Sequence, residues 1–355
     1  MKYKIWLIML NVSNNMKVSF LEKYKNEKSI YEILKDSYKD ISIEKAEKFE
    51  DYIINNNIGL VTYNDEEYPE ELRVIDEAPY GLFYKGKIKL LKENIVGIVG
   101  SRACTAYGTE VTKLLTKELI NYNITIISGG AKGIDSVAHR TSLEEGGNTI
   151  IVLGCGIDVV YPKQNFALFK KVEEYGLIIS EFLPGTPPFS YNFPMRNRII
   201  SGLSSLLLVA EASSKSGSLI TANFAAEQGK MVMAVPGSVF FKGSNGCNRL
   251  IRDGAQIFSG MEDLYSILGL KFHKKEGIIS PIKRKILSVI ENEPIHIDEI
   301  AIKSCIDREA LFKVLFEMQI RNEIVSLPGN YYAKITWVLR GWRLHKNGVF
   351  IWVKI

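Results

Sequence analysis

The chain of 355 residues is 46% hydrophobic and 24% charged, an ordinary globular composition with room for two or three domains. Its net charge of +5 is not spread over the surface as a nucleic-acid coat would be. Arg340, Arg343, Lys346 and Lys354 lie in an acid-free stretch from Ile335 to Ile355, and without them 41 basic residues face 40 acidic ones, so any anion site must be local.

In chain order, "IWLIML" near the N-terminus is too short for a membrane span and has no cleavage site after it, so a first core helix is predicted. Residues 1–60 carry apolar side chains at helical spacing among Lys and Glu and are read as a small helical N-terminal domain. Residues 61–93 form a turn-rich connecting segment with short strands. From 94 the pattern changes: "NIVGIVG", "ITIISGG", "NTIIVLG", "LIISE", "SLLLVAE" and "MVMAVPG" are apolar strands that alternate with amphipathic helices. Such alternation predicts an α/β fold, an extended Rossmann-like doubly wound parallel sheet covered on both faces, over 94–268. A linker over 269–280 leads to three helices and a hairpin, a winged-helix domain at 281–334. The remaining residues, 335–355, hold Trp337, Trp342 and Trp352 of the four tryptophans; this basic tail reads as an appended or out-of-frame segment, or as an extra hairpin turning at "KNG".

Cys104, Cys155, Cys247 and Cys305 are far apart, and no CxxC, zinc spacing or HExxH occurs. Reduced, packed thiols in a cytoplasmic protein are expected, with no metal and no cofactor.

In an open parallel sheet, ligands bind at the carboxyl ends of the strands. The turns there are "GSR" (100–102), "SGGAKG" (128–133), "GCG" followed by "YPK" (154–163), "SE" (180–181), "EASSKSGS" (211–218) and "PGS" (236–238). Glycines and hydroxyls next to helix N-termini suit phosphate. No GxGxxG opens the first helix and no GxxxxGK[ST] is present, which argues against a dinucleotide or nucleoside triphosphate. Arg102, Lys163, Arg196, Arg198 and Lys215 come to this edge from different loops; each alone could be a surface ion-pair partner, but together they describe a cationic groove tracking several phosphates. Phe189, Tyr191 and Phe193 are either core or platforms on which bases stack. Residues 196–198 fan across about 200° of a helix, so one arginine is expected at the anion, the other on Glu181 or Glu211, and Asn197 on backbone groups. The third helix of the winged domain mixes acids and bases almost evenly, so contact with protein is as well supported as contact with DNA.

These motifs, with "SGGAKGIDSVAH" (128–139), "YPKQN" (161–165), "SEFLPGTPP" (180–188), "FPMRNRIISGLS" (193–204), "EASSKSGSLITA" (211–222), "VPGS" (235–238) and "GCNRLIRDGA" (246–255) in order, resemble the DNA-processing protein A family (DprA, also called Smf). The resemblance implies a dimeric cytoplasmic mediator that binds and protects incoming single-stranded DNA and loads the recombinase RecA during natural transformation. It places DNA at Arg102, Lys163, and the Phe193 and Arg196 region. The full candidate site is Gly100, Ser101, Arg102, Gly129, Gly130, Lys163, Asn165, Phe193, Arg196, Asn197, Arg198, Lys215, Ser216, Gly217 and Ser218. Two features depart from the family: residues 1–60 lack a helix-hairpin-helix glycine signature, and the tail has no counterpart. A second reading is a nucleoside monophosphate phosphoribohydrolase with a PGGxGTxxE motif. Here "KSGSLITAN" keeps Gly217 and Thr221 but reaches no glutamate until Glu227, leaving Glu181 as the substitute carboxylate.

Overall fold

The computed structural model describes residues 1–270, 281–290, 293–321, 323–334, 342–344 and 350–352. They form two units, Met1–Ile257 and Phe258–Ile355. The first begins with four helices, α1 (Lys2–Met9), α2 (Asn14–Tyr24), α3 (Glu27–Leu34) and α4 (Ile43–Asn55). Ser13 and Asn26 cap α2 and α3 by accepting from Met16 and Ser29 N–H groups, which satisfies donors that a helix start leaves open. The early apolar run is α1, with Ile5, Trp6 and Leu7 fully buried and Trp6 Nε1 donating to Ile41 O at 2.7 Å.

Next come β1 (Gly59–Thr62), α5 (Glu70–Arg73) and β2 (Gly81–Gly86), followed by the alternating elements β3 (Ile95–Gly100), α6 (Ala106–Asn121), β4 (Thr125–Ser128), α7 (Ile134–Glu144), β5 (Thr149–Val152), α8 (Phe166–Tyr175), β6 (Leu177–Ser180), α9 (Asn192–Leu203), β7 (Leu206–Glu211), α10 (Ser218–Glu227), β8 (Met231–Ala234), α11 (Asn245–Arg252) and β9 (Gln256–Ile257). One nine-stranded sheet results, in the order β1-β2-β6-β5-β4-β3-β7-β8-β9. Strands β3 to β9 run parallel, while β2 pairs antiparallel with both β6 and β1. The segment read as a connection thus supplies the sheet's edge.

Strand alternation divides the side chains between two cores. Ile150, Val152, Leu177 and Ile179 join the cluster on one face, with Ile199, Ile200 and Leu203 of α9. Ile151, Leu153 and Ile178 join the other, with Phe169 of α8 and with Ile5, Trp6, Ile30 and Ile53 of the N-terminal helices. Each fully buried aliphatic side chain contributes about 1.5–3 kcal/mol. Because the N-terminal helices complete one face of the sheet, they have no separate core of their own.

The second unit contains α12 (Met261–Leu268), α13 (Pro281–Val289), β10 (Ile295–His296), α14 (Ile297–Ser304), α15 (Arg308–Ile320), β11 (Ile324–Leu327) and β12 (Tyr331–Lys334). The three strands pair in the order β10-β12-β11, over a core that includes Ile286, Ile300, Leu311, Leu315 and Met318. This is a winged helix. Arg308 and Arg321 at the ends of its third helix pair with Asp298 and Glu317. In the tail, β13 (Trp342–Leu344) and β14 (Phe350–Trp352) pair antiparallel; the turn read at "KNG" lies outside the described residues. The linker reading over 269–280 falls outside the described residues except at its first two positions. Among the described residues, no helix is long and apolar enough to cross a membrane. All four thiols are free; burial pushes Cys155 up to about 11 and Cys247 up to about 12, whereas Cys305 is exposed.

Candidate nucleic-acid interface

From β3 the chain builds outward through β4, β5 and β6 on one side, then crosses over to β7, β8 and β9 on the other. Outside the carboxyl ends of the strands at this reversal lies a cleft of about 660 Å³, where open α/β sheets place their ligands. Val99, Gly100, Ser101 and Arg102 line it from the end of β3, and Phe193, Arg196, Asn197 and Ile200 from α9. Ser213, Lys215, Ser216, Gly217 and Ser218 face them from the turn into α10.

The two arginines of "RNR" go separate ways. Arg196 is 5% exposed. Its Nη1 donates to Gly129 O at 2.7 Å and to Val152 O, and its Nε to Asn197 Oδ1 at 3.2 Å. The carbonyls at the ends of β4 and β5 thus hold most of the group expected at a phosphate. Nη2 has no hydrogen-bond partner among the described residues, on a side chain that lines the cleft. Burial brings the guanidinium down to about 10, with Asp135 opposing the shift. Arg198 donates to Glu181 through Nη1 at 3.2 Å and Nη2 at 2.6 Å, and the two side chains are 4% and 9% exposed. It does not line the cleft, which corrects its assignment to DNA: its charge is spent inside the fold. Of the two carboxylates considered for it, Glu181 is the partner. Glu211 instead accepts from Thr105 N–H at the start of α6. Asn197 serves the Arg196 side chain rather than the backbone.

Asn165 is a second correction. It is 1% exposed, and its Nδ2 donates to Gly130 O at 2.9 Å and to Ser136 Oγ at 2.8 Å. It holds the β4–α7 turn from beneath and does not reach the cleft. Lys163, two residues earlier, is exposed and stands beyond the rim rather than in the lining.

The glycines divide in a similar way. A Cβ on Gly129 would lie 2.6 Å from Arg196 Nη2, so packing against that guanidinium accounts for it. Gly130 has a φ of +65°, the left-handed region in which glycine is unstrained. Gly217 differs from both: a Cβ there would meet nothing within 4 Å, which leaves its backbone open to a ligand. Beside it, Ser216 Oγ and Ser218 Oγ are 2.7 Å apart.

Phe193 is half-buried in the cleft lining. A Cβ on Gly154 would come within 2.8 Å of its Cδ1, so the ring rests on bare backbone at the end of β5. Tyr161 lies 5.4 Å away, centroid to centroid, and the Arg102 and Arg196 guanidiniums are each 5.9 Å from the ring centre, within cation–π range. Phe189 and Tyr191 stack on each other at 5.4 Å and 7° but do not line the cleft; Pro188 and Ser190, which alternate with them, do. Asp135 is the one carboxylate in the lining, and it accepts from the Gly129 and Ala131 N–H groups at 3.2 and 3.3 Å; burial raises it and Arg196 opposes the rise. Arg102 and Lys215 form no ion pair among the described residues, so the cleft is cationic. Sequence reasoning missed Tyr161 and Lys132, which with Arg102, Pro162 and Phe193 line a side pocket. An aromatic in front of "PK" and a lysine in the glycine turn were the signals.

Sheet, strand-end cleft and winged helix together define an α/β domain of the extended Rossmann kind and a winged-helix module. Residues 59–269 match the family model of the DNA recombination-mediator protein A, and residues 277–330 that of the DprA winged helix domain. The chain belongs to this family. It is 46% identical over 200 residues to the DNA processing protein DprA of Streptococcus pneumoniae, covering 56% of this chain and 71% of that protein. An X-ray structure of the Streptococcus pneumoniae DNA processing protein A superposes with a TM-score of 0.67 at 35% identity, over 77% of this chain and 99% of that one. Helicobacter pylori DNA processing protein A, whose structure was determined for its single-stranded DNA binding mode, gives a TM-score of 0.54 at 30% identity over 59% and 95%.

Proposed function

We propose that this protein binds single-stranded DNA in the strand-end cleft of its 94–268 domain. There it acts as a non-enzymatic recombination mediator that shelters an incoming strand and passes it to RecA during natural transformation, as a cytoplasmic homodimer. The observation that carries the reading is Phe193, a partly exposed ring at the mouth of a cationic cleft, seated between Tyr161 and Arg102. Stacking on such rings accepts any base, and neighbouring cations take the backbone. The hydrolase reading loses support from the carboxylates. Glu181 is bound to Arg198, Glu211 caps α6, and Asp135 is held by two backbone N–H groups, so none is free to act at a ribose.

The test is fluorescence anisotropy with single- and double-stranded oligonucleotides across a salt series. Neutralising three to five phosphates gives a log K against log[salt] slope of roughly −2 to −3.5 on a single strand. Arg102→Ala is expected to weaken binding by ~1–3 kcal/mol. A flat salt response, or an Arg102→Ala protein that binds like wild type, would sink the assignment. Release of free base from nucleoside monophosphates would favour the hydrolase.

A further inference from the structure

A second concavity of about 690 Å³ lies between α7 and α8, lined in part by Arg140, Glu144, Gln164, Lys171 and Tyr175, with Lys87 at one end. A few residues of chain lead from the cleft's side pocket to this groove. Tyr161 and Pro162 line the cleft's side pocket, the exposed Lys163 follows, and Gln164 lines the groove. Lys132 stands on the same side pocket.

The charges of this region are largely sorted, with Glu174 an exception: it forms no ion pair among the described residues and accepts a hydrogen bond from the Tyr175 hydroxyl. Glu145 pairs with Lys117 at 2.6 Å, and Glu173 with Lys85 and Lys170 at 3.3 and 3.1 Å. In contrast, Lys87, Lys132, Arg140, Lys163 and Lys171 form no ion pair among the described residues. Glu144 is the only carboxylate in the groove lining. Tyr175, 53% exposed, stands at its far end as an aromatic surface of the kind on which bases stack.

Resting on the cleft reading above, we propose that a single nucleic-acid strand leaving the Phe193 cleft past Tyr161 and Lys163 continues along the α7–α8 groove, its phosphates on Arg140 and Lys171 and a base on Tyr175. The 10 residues of α8 span about 15 Å. That is room for about four phosphates at ~3.4 Å spacing along a stacked strand, and fewer when the strand is stretched. A strand short enough to fill the cleft alone does not reach the groove, so the groove's contribution depends on strand length.

The experiment uses the full chain with oligothymidylates of about 6 and about 20 nucleotides, a range that brackets common single-strand site sizes. Wild type is compared with Arg140→Gln/Lys171→Gln, with Tyr175→Ala and with Arg102→Ala. All of the groove residues altered are exposed, so folding is preserved, and circular dichroism checks it. In the Arg140→Gln/Lys171→Gln protein, affinity for the longer strand falls roughly tenfold. Its salt slope becomes shallower by about 1.4, two contacts at ~0.7 each, while the shorter strand binds as to wild type. Tyr175→Ala weakens only the longer strand and leaves the slope unchanged. If the double variant binds both lengths like wild type, or weakens both equally, the groove is not the exit path. If instead Arg102→Ala leaves both lengths unaffected, the cleft reading itself fails.

Discussion

Replacing Arg198 with Met separates an arginine that builds the fold from one proposed to meet DNA. The structure sets the magnitude. Arg198 and Glu181 are both less than a tenth exposed and are joined by two hydrogen bonds. Without the guanidinium, the Glu181 carboxylate keeps, among the described residues, only Asn14 Nδ2 at 3.5 Å and the charge of the buried Lys17, whose ammonium is committed to Ile8 O. Removing one partner of a buried ion pair costs about 3–5 kcal/mol. At roughly 2–4 °C per kcal/mol for a domain of this size, the melting temperature falls by about 10 °C. The double variant Arg198→Met/Glu181→Gln recovers much of this, because no charge is then left buried alone. Urea unfolding gives the stability, and anisotropy below the transition gives binding. Single-strand affinity and salt slope per folded molecule stay at wild-type values in Arg198→Met, whereas Arg102→Ala keeps its stability and loses about 0.7 of slope. A cost below about 1 kcal/mol, or a slope that shallows as in Arg102→Ala, would refute the assignment of Arg198 to the interior.

Two further outcomes follow from the same geometry. Gly154→Ala places a Cβ 2.8 Å from Phe193 Cδ1, so it shifts the ring and weakens single-strand binding at an unchanged salt slope; an unaltered affinity would show that the ring position does not matter. His139 is fully buried, with Nδ1 on Thr149 Oγ1 at 2.7 Å, and burial, with Arg196 adding to it, pushes its pKa down to about 3. A depressed folded value means that its stabilisation is complete above the unfolded value of about 6.5 and is lost as pH falls toward 3, by about 2 kcal/mol at pH 5. Asp135, raised by burial, works in the opposite sense. The check is therefore the difference between the urea-unfolding pH profiles of wild type and His139→Gln, which should open below pH 6.5; parallel profiles would contradict it.

How far the sequence could be read depended on the range over which each signal acts. Parallel strands buried on both faces are continuous apolar runs, so "NIVGIVG" and "SLLLVAE" announced themselves. That Ile150 faces one core and Ile151 the other is not visible in such a run, nor is the fact that α1 and α4 complete the second core. The amphipathic pattern of residues 1–60 showed a face to be buried but not what buries it.

The site was legible as a set of turns and much less so as a set of roles. "FPMRNR" and "YPKQN" each hold residues of opposite duty one or two positions apart: Phe193 faces the cleft while Arg198 is sealed inside, and Lys163 is exposed while Asn165 lies under the glycine turn. Helical and turn geometry sends neighbours in different directions, so a motif supplies both the cleft and its scaffold. Which letter does which depends on acceptors with no sequence signature, such as the carbonyls of Gly129 and Val152 that hold Arg196. The glycines make the same point. Gly129 and Gly154 look like phosphate turns in sequence, yet each is explained by a side chain of α9, 67 residues away in the case of Gly129 and Arg196. Among the glycines of the strand-end turns, Gly217 alone keeps a smallness that packing does not require. For that reason, among the glycines at this sheet edge, the 215–218 turn is where a backbone phosphate has most reason to sit.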